Sequence, residues 1–577
     1  MKAFTACPLD CYDACSIVYN EGALQASKDG HTQGFLCPHM NHFEKFETIQ
    51  KPRYKGEEIS LEKALDLLKG MLRASEPSSV LHYRGHGNFG LMQAVSDHFF
   101  ASFGATLTDG NLCDGAGEAG IIQGRGSNKN MPLFEIAKSE VVIIWGRNPH
   151  TSSSHLLPLL KDKKIIVIDP LKTKIAKIAD LHIQIKPHGD LELAMLMSRF
   201  LHIENGTDEA YLKEYASEYE EFYELTQSVR IKATLDDIGV TLGQIGKLLE
   251  FVREKKVAIV CGVGIQKYAD GADVMRAIDA FAVYLGLFGK EGCGVAYLGN
   301  SKENISSPFF TKAARVSKVN TDFSKFATVF IQGANPLSQM PDTLRVQESL
   351  NAVKNVVYFG LYENETSERA DLIIPAKSFL HKEDIRTSYS HNAMLPMRKV
   401  AASVHGISEY DLSAYLCAAF DIALKSEEEY LNHFKAYGVE KMDGSLYVEG
   451  REEIPYAEGF DTDDGEFCFL DAIESNQEND GKLFLLTSKS PRSLNSQFKR
   501  EKYVYLHSSH GVAEDESVCI SSVNGELRLQ VRHNDDLRED CVLIYSGTSG
   551  LNNLTSSKHS LEGKNAIYQE NKVEIKK

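Results

Sequence analysis

Cys7, Cys11 and Cys15 recur at a strict four-residue interval near the start of the chain, and Cys37 follows at a distance. Three thiols at this spacing require a tightly looped segment that can deliver them to one inorganic centre, with the fourth returning from further along. Thiolates are the soft ligands that iron prefers, and four of them suit a [4Fe-4S] cluster. A zinc site and a set of unligated core cysteines are the other readings of the same spacing. Short strands are expected at Lys2–Ala6 and Cys15–Tyr19, in a small domain organised by metal more than by its own apolar core.

The chain is far too long to be a ferredoxin. At 577 residues and 43% hydrophobic it can bury three or four domains or nested subdomains. A cluster on such a chain implies a redox enzyme with a second, larger cofactor. Apolar runs such as Val141–Trp145 fall far short of the roughly 20 residues that cross a bilayer, so no direct membrane span is expected. The cysteines follow the first residues too closely for a leader, and the expected compartment is cytoplasmic. There, the 11 cysteines are expected as reduced thiols and metal ligands, not as disulfides. A formal charge of −17 argues against a nucleic-acid partner, whose phosphates require clustered Lys and Arg.

Beyond the cysteines the pattern changes to helices alternating with continuous Val and Ile runs, which indicates parallel sheets covered on both faces. The series runs helix Leu61–Ala74, strand Ser79–Tyr83, helix Leu91–Phe103, strand Ser139–Trp145, helix His155–Lys161, strand Lys164–Ile168 and helix Asp190–His202. After a polar helical stretch at 205–255, a second series begins: Val257–Cys261, Gly271–Leu287, Thr328–Gln332, Asp342–Ala352, Asn355–Phe359 and Leu372–Pro375. From Leu483 onward, short β-rich runs separated by turns predict a C-terminal β-barrel-like domain. Gly85-His86-Gly87-Asn88-Phe89-Gly90 has the shape of a dinucleotide fingerprint, but no acidic ribose-binding residue ends a clear next strand, and NAD is not expected there.

The segments CPLDCYDAC, GFLCP, LCDGAGEAG, WGRNPHTSSSH, VIDPLKTKIAKIAD, IQGANPLSQMP, ENETSERADLIIPAKSFLHKEDI and LLTSKSPRSLNSQF occur in the order found in a known family. Over essentially its whole length the chain resembles the molybdenum or tungsten bis-pterin guanine dinucleotide oxidoreductases, the group of dimethyl sulfoxide reductase and formate dehydrogenase. The resemblance implies a multi-domain α/β fold with a [4Fe-4S] domain at 1–50. It further implies a second-pterin α/β lobe split between 51–130 and 300–475, a central dinucleotide-type lobe at 131–299, and a pterin-binding β-barrel at 480–577.

By the same resemblance, Cys113 ligates molybdenum or tungsten together with the dithiolenes of two molybdopterin guanine dinucleotides, while Cys7, Cys11, Cys15 and Cys37 hold the cluster. A thiolate suits so sulfur-rich a site, and the glycines at 115 and 117 would let backbone approach a bulky cofactor. Asn148, Asp169, Thr173 and Asp190 would hold one dinucleotide; Asn335, Glu365, Thr366 and Asp371 would meet the other. Thr487, Ser490, Asn495, Gln497, Asn552 and Asn553 would close over both from the last domain.

Two departures bear on the substrate. His39 stands where many family members carry Lys or Arg, and it is not permanently charged. Asp114 stands directly after the metal ligand, where formate dehydrogenases have His; a carboxylate there relays protons but repels an anion such as formate. Asp114, His391 and Asp10 are the proton-transfer candidates. The expected reaction is two-electron chemistry on a small-molecule substrate, with electrons relayed through the cluster and exchanged with an iron-sulfur or flavin partner. A non-redox hydratase or lyase at tungsten, and an electron-transfer subunit without the active metal, are the alternatives.

Overall fold

Buried Val and Ile runs do form two parallel sheets. In the computed structural model, residues 2–576 are described except 29, 86–88, 310–311, 404, 442–443 and 474–480. The first sheet has five strands in the order Leu181–Ile183, Lys164–Ile168, Val141–Trp145, Val257–Cys261 and Gly294–Ala296, all parallel. Val141–Trp145 and Val257–Cys261 are buried at every position, as a strand covered on both faces must be. Helices Asp190–Ile203 and Gly271–Tyr284 pack against one another beside it.

The second sheet has eight strands: Arg315–Ser317, Thr106–Asp109, Val80–Arg84, Thr328–Gln332, Asn355–Gly360 and Leu372–Pro375, then an antiparallel edge of Arg53–Tyr54 and Glu57–Glu58. Its central neighbours come from distant parts of the chain, with Thr328 opposite Val80 and Gln332 opposite Arg84. The chain therefore leaves this sheet, builds the five-stranded one, and returns.

Cysteines 7, 11 and 15 belong to a three-stranded antiparallel meander, Ala3–Ala6, Ser16–Asn20 and Ala23–Ala26, and its connecting loop. At the other end, Leu483–Leu486, Cys541–Leu543, Tyr503–Leu506, Glu526–His533, Ser517–Ser521 and Lys572–Lys576 close into a six-stranded barrel. Val504, Leu506, Val518, Ile520, Val531 and Val542 fill it. Closure removes the exposed edges that short strands otherwise leave. No helix of the described residues is long and apolar enough to cross a membrane.

Several elements differ from the sequence reading. The helix expected at His155–Lys161 is a 3-10 segment, Ser154–Leu160, with Pro158 inside it; proline lacks the N–H that an α-helix would use there. The stretch after 386 contains antiparallel strands Ala393–Met397, Gly438–Glu440 and Leu446–Val448 and helices Glu409–Ala419 and Glu427–Lys435. Residues 86–88 of the apparent dinucleotide fingerprint lie outside the described residues.

The segment after Cys113 forms a helix, Gly115–Arg125, despite its glycines. These glycines do not clear room for a cofactor, as the sequence suggested. A Cβ on Gly115 would lie 2.4 Å from the Gly563 carbonyl oxygen, one on Gly117 2.7 Å from the Tyr297 hydroxyl, and one on Gly120 2.1 Å from the Ala272 carbonyl oxygen. They let the helix sit against the Gly271–Tyr284 helix and the C-terminal segment. Arg125, buried in the same helix, pairs with the buried Asp279.

Candidate functional site

A single cavity of about 750 Å³ is bounded by the cysteine loop, both sheets and the barrel. It opens along the C-terminal ends of the parallel strands, where open α/β sheets take their ligands. Cys7, Cys11, Cys15, Cys37 and Cys113 all line it.

Backbone bonds set the cysteine loop: Cys7 N–H donates to the Cys15 carbonyl at 2.9 Å and Cys11 N–H to the Leu9 carbonyl at 3.0 Å. Cys7 and Cys15 are buried, Cys11 and Cys37 half-buried. Burial pushes all four thiols up, and neighbouring cysteines add to this at Cys7, Cys11 and Cys15; Cys11 reaches about 12. Four thiolates so placed repel one another in a low-dielectric wall, which a cationic iron core would relieve.

Cys113 is presented by a turn that Asn111 builds. The Asn111 Oδ1 accepts from the N–H groups of Cys113 at 2.7 Å, Asp114 at 2.9 Å and Gly115 at 3.2 Å. Gln266 locks the far side, donating Nε2 to the Cys113 carbonyl at 2.8 Å and accepting from Gly117 N–H at 2.9 Å. Lys267 Nζ donates to the Leu112 carbonyl at 2.7 Å and lies over the Tyr568 ring. Burial pushes the Cys113 thiol up to about 12, reinforced by Asp114 and opposed by Lys267. Burial likewise lowers Lys267 to about 8.

Asp114 and Asp10 line the same cavity. Burial, then the charges of Glu118 and Asp10, raise Asp114 to about 7. His391 does not join them. It lies behind the cysteine loop, with Nε2 3.3 Å from the Ala14 carbonyl, Nδ1 accepting from Ala393 N–H, and its ring stacked on His31 at 3.7 Å. Burial, then His31, hold it well below the ordinary histidine range. The expectation that His391 moves protons at the Cys113 centre is therefore corrected: a buried neutral imidazole with both nitrogens engaged is a packing group.

At the first sheet, Asn148, Asp169, Thr173 and Asp190 all line the cavity. Trp145 Nε1 donates to Asp190 Oδ1 at 2.6 Å, and Leu171 N–H donates to Asp169 Oδ1 at 2.8 Å. Neither carboxylate has a cationic ion-pair partner within 4.0 Å among the described residues. Burial raises Asp169 to about 7 and Asp190 to about 6. The Asn148 Oδ1 is buried without a hydrogen-bond partner. The Tyr83 and Tyr362 hydroxyls, Gln93 Oε1 and Ser488 Oγ are further buried polar atoms in this state along the wall. Native interiors leave few such atoms, so their concentration on one cavity fits a polar ligand that supplies the missing partners.

At the second sheet, only Asn335 of the four expected residues lines the cavity. Glu365 and Thr366 stand behind it: Asn335 Nδ2 donates to Glu365 at 2.9 Å and Thr366 Oγ1 donates to Asn335 Oδ1 at 2.8 Å. Asp371 is spent on the sheet, accepting from Val356 N–H at 2.8 Å. From the last domain, Thr487, Asn495, Gln497 and Asn552 line the cavity. Ser490 instead sits buried beside Glu501, accepting from Arg492 N–H, and Asn553 belongs to the 3-10 turn Leu551–Asn553. The direct contacts expected of Glu365, Thr366, Asp371, Ser490 and Asn553 are thus corrected to supporting positions outside the wall.

Lining residues that sequence reasoning missed include Arg147, Lys267, Lys318, Lys489 and Gln569. Arg147 and Lys489 lie inside the quoted segments and were passed over for their neighbours. Lys267 and Lys318 carry no motif and reach the site only through the fold.

The comparisons agree with this architecture. The chain is similar to the probable oxidoreductase YyaE of Bacillus subtilis (strain 168), 28% identical over 70% of this chain and 67% of that one. It is 23% identical to the probable oxidoreductase YoaE of the same organism, over 99% of this chain and 98% of that one. Among solved structures, acetylene hydratase from Pelobacter acetylenicus shares the fold with a TM-score of 0.80 at 15% identity, covering 99% of this chain and all of that one. The family model for molybdopterin oxidoreductases matches residues 55–418, and the chain is an enzyme belonging to that family.

Proposed function

We propose that this enzyme carries out two-electron redox chemistry on a small molecule at a molybdenum or tungsten centre ligated by Cys113. Residues at the strand ends of both sheets would hold two molybdopterin guanine dinucleotides, and Cys7, Cys11, Cys15 and Cys37 would hold a [4Fe-4S] cluster that would supply one-electron transfer. The observation that carries this reading is the continuity of the cavity. One wall holds the Cys113 thiol, all four N-terminal thiols, and unpartnered polar atoms at the strand ends.

The metal-pterin group, when bound, supplies the two-electron chemistry. The chain's own residues bind, orient and manage protons. Asn111, Gln266 and Lys267 fix the backbone that presents Cys113. Asp169 and Asp190, with Asn148 and Thr173, suit the N–H donors of one guanine; Asn335, Asn552 and Gln497 suit the second cofactor. Asp114, standing next to Cys113, would hold or release a proton at its carboxyl. From the cluster, electrons would leave to an iron-sulfur or flavin partner in the cytoplasm.

A second reading, a non-redox hydratase or lyase, is favoured by one observation: two carboxyls, Asp10 and Asp114, face the cavity beside Cys113, with Asp114 raised to about 7. A carboxyl shared between its protonated and ionised forms at neutral pH suits addition of water. Turnover with and without an artificial electron acceptor separates the two. The redox reading expects product only when an artificial electron acceptor or donor is supplied; product with neither supports the lyase and overturns the redox assignment.

A further inference from the structure

Arg386 is among the largest fully buried side chains of the molecule, 0% exposed. It ends the strand Asp384–Arg386, yet it makes no ion pair within 4.0 Å among the described residues. One guanidinium nitrogen donates to the Leu9 carbonyl at 3.1 Å and the Cys11 carbonyl at 3.2 Å. Its Nε and the other terminal nitrogen have no hydrogen-bond partner. The guanidinium lies 3.8 Å from the centre of the Phe89 ring.

Guanidinium does not lose its proton in proteins, so this is a permanent buried charge. Leaving such a charge uncompensated is strongly unfavourable. Asp384, two residues away, does not compensate it: its Oδ1 accepts from Met92 N–H and burial raises it to about 7. What does face Arg386 is the Cys7–Cys11 loop, whose Leu9 and Cys11 carbonyls it holds. A cluster ligated by four thiolates carries net negative charge in both oxidation states, more in the reduced one.

We infer that Arg386 is the built-in counter-charge of the iron-sulfur centre, a positioning residue that holds the Cys7–Cys11 loop and sets the cluster's reduction potential. The inference rests on reading the four cysteines as cluster ligands. On reduction the cluster gains one electron with no bond made or broken, and a fixed cation beside it stabilises the more negative form. Arg386 therefore raises the potential.

The test uses the full chain purified anaerobically, with dithionite as the reductant in a potentiometric titration followed by electron paramagnetic resonance, and iron and sulfide counted on each sample. R386Q keeps a donor for the two carbonyls without the charge, and R386K keeps the charge. R386Q is expected to shift the one-electron equilibrium toward the oxidised cluster at least tenfold, about 59 mV more negative, while R386K stays within a few-fold of the parent. Loss of iron from R386Q with retention in R386K supports the same role, because assembly then depends on the charge. An unchanged potential in iron-replete R386Q, or equal loss of iron from both variants, overturns the proposal. If the parent chain itself takes up no iron, the cluster reading falls, and this inference with it.

Discussion

Two turns of the same sequence shape, Gly146-Arg147-Asn148-Pro149 and Gly333-Ala334-Asn335-Pro336, leave the two sheets in the same way and arrive at opposite chemical states. In each, a strand is followed by a glycine in the left-handed region, φ +63° and +54°, and an asparagine precedes a proline that opens a short helix. Asn148 keeps a buried carbonyl oxygen with no partner, and burial raises the carboxyls of Asp169 and Asp190 to about 7 and about 6. Asn335 has both ends engaged, one by Thr366 and one by Glu365, and Glu365 is held below its ordinary range by Asn335 and Arg500 against its burial. Local sequence makes the turn; what the following strand-to-helix connection delivers decides whether the turn waits for a ligand or satisfies itself.

The comparison breaks most readily at Asp190. With the account above, D190N removes a charged acceptor from the first sheet only. The first dinucleotide should bind about 10- to 100-fold more weakly, the range of a hydrogen bond to a charged group. Guanine released from gel-filtered protein should fall from about two to about one per chain. Loss of both guanines would mean that the two ends are not independent.

The difference is sharpened by pH. Asp169 and Asp190 have folded values raised to about 7 and about 6 above an ordinary value near 4. Between about pH 4 and 7 the folded cofactor-free chain therefore binds more protons than the unfolded one, and its stability falls as pH rises through that window. Above it the loss is complete. N–H donors from a bound guanine favour the carboxylates and remove this slope, so cofactor affinity should rise across the same window. Asp384, raised to about 7 away from the cavity wall, leaves a common slope in both forms. Thermal melts of D169N and D190N from pH 4.5 to 8 should lie flatter than the parent without cofactor and parallel to it with cofactor; parallel curves in both forms would remove the carboxylates from the account.

The smallest effect belongs to the second sheet. Glu365 and Arg500 pair with about a quarter of each side chain exposed, and this bond links the lobe to the last domain. E365Q should cost about 1 kcal/mol, read as a lower urea midpoint, with guanine content nearly unchanged and no new pH slope. A guanine loss as large as that of D190N would make the two ends alike.

Much of this was legible in the sequence. The Val141–Trp145 and Val257–Cys261 runs read as buried parallel strands, the four-residue cysteine interval read as one tight loop whose thiols line the cavity, and Asp169 and Asp190 line it as well. What escaped reading depended on contacts across the chain. Glycines 115 and 117 look like cofactor clearance until Gly563 and Tyr297 are seen against them. His391 looks like a proton carrier until Ala14 and His31 enclose it, and Lys267 has no local pattern at all. Glu365 and Thr366 were near the mark in sequence but one layer back in space, because a helix start shows which residues are polar and not which of them face outward.

The most direct test is to count molybdenum, tungsten, iron and guanine on one sample of anaerobically purified protein from a host that makes the cofactor. The account predicts about one molybdenum or tungsten, about four irons and about two guanines per chain. Iron alone, with neither heavy metal nor guanine, would contradict it and leave an electron-transfer chain on an enzyme fold.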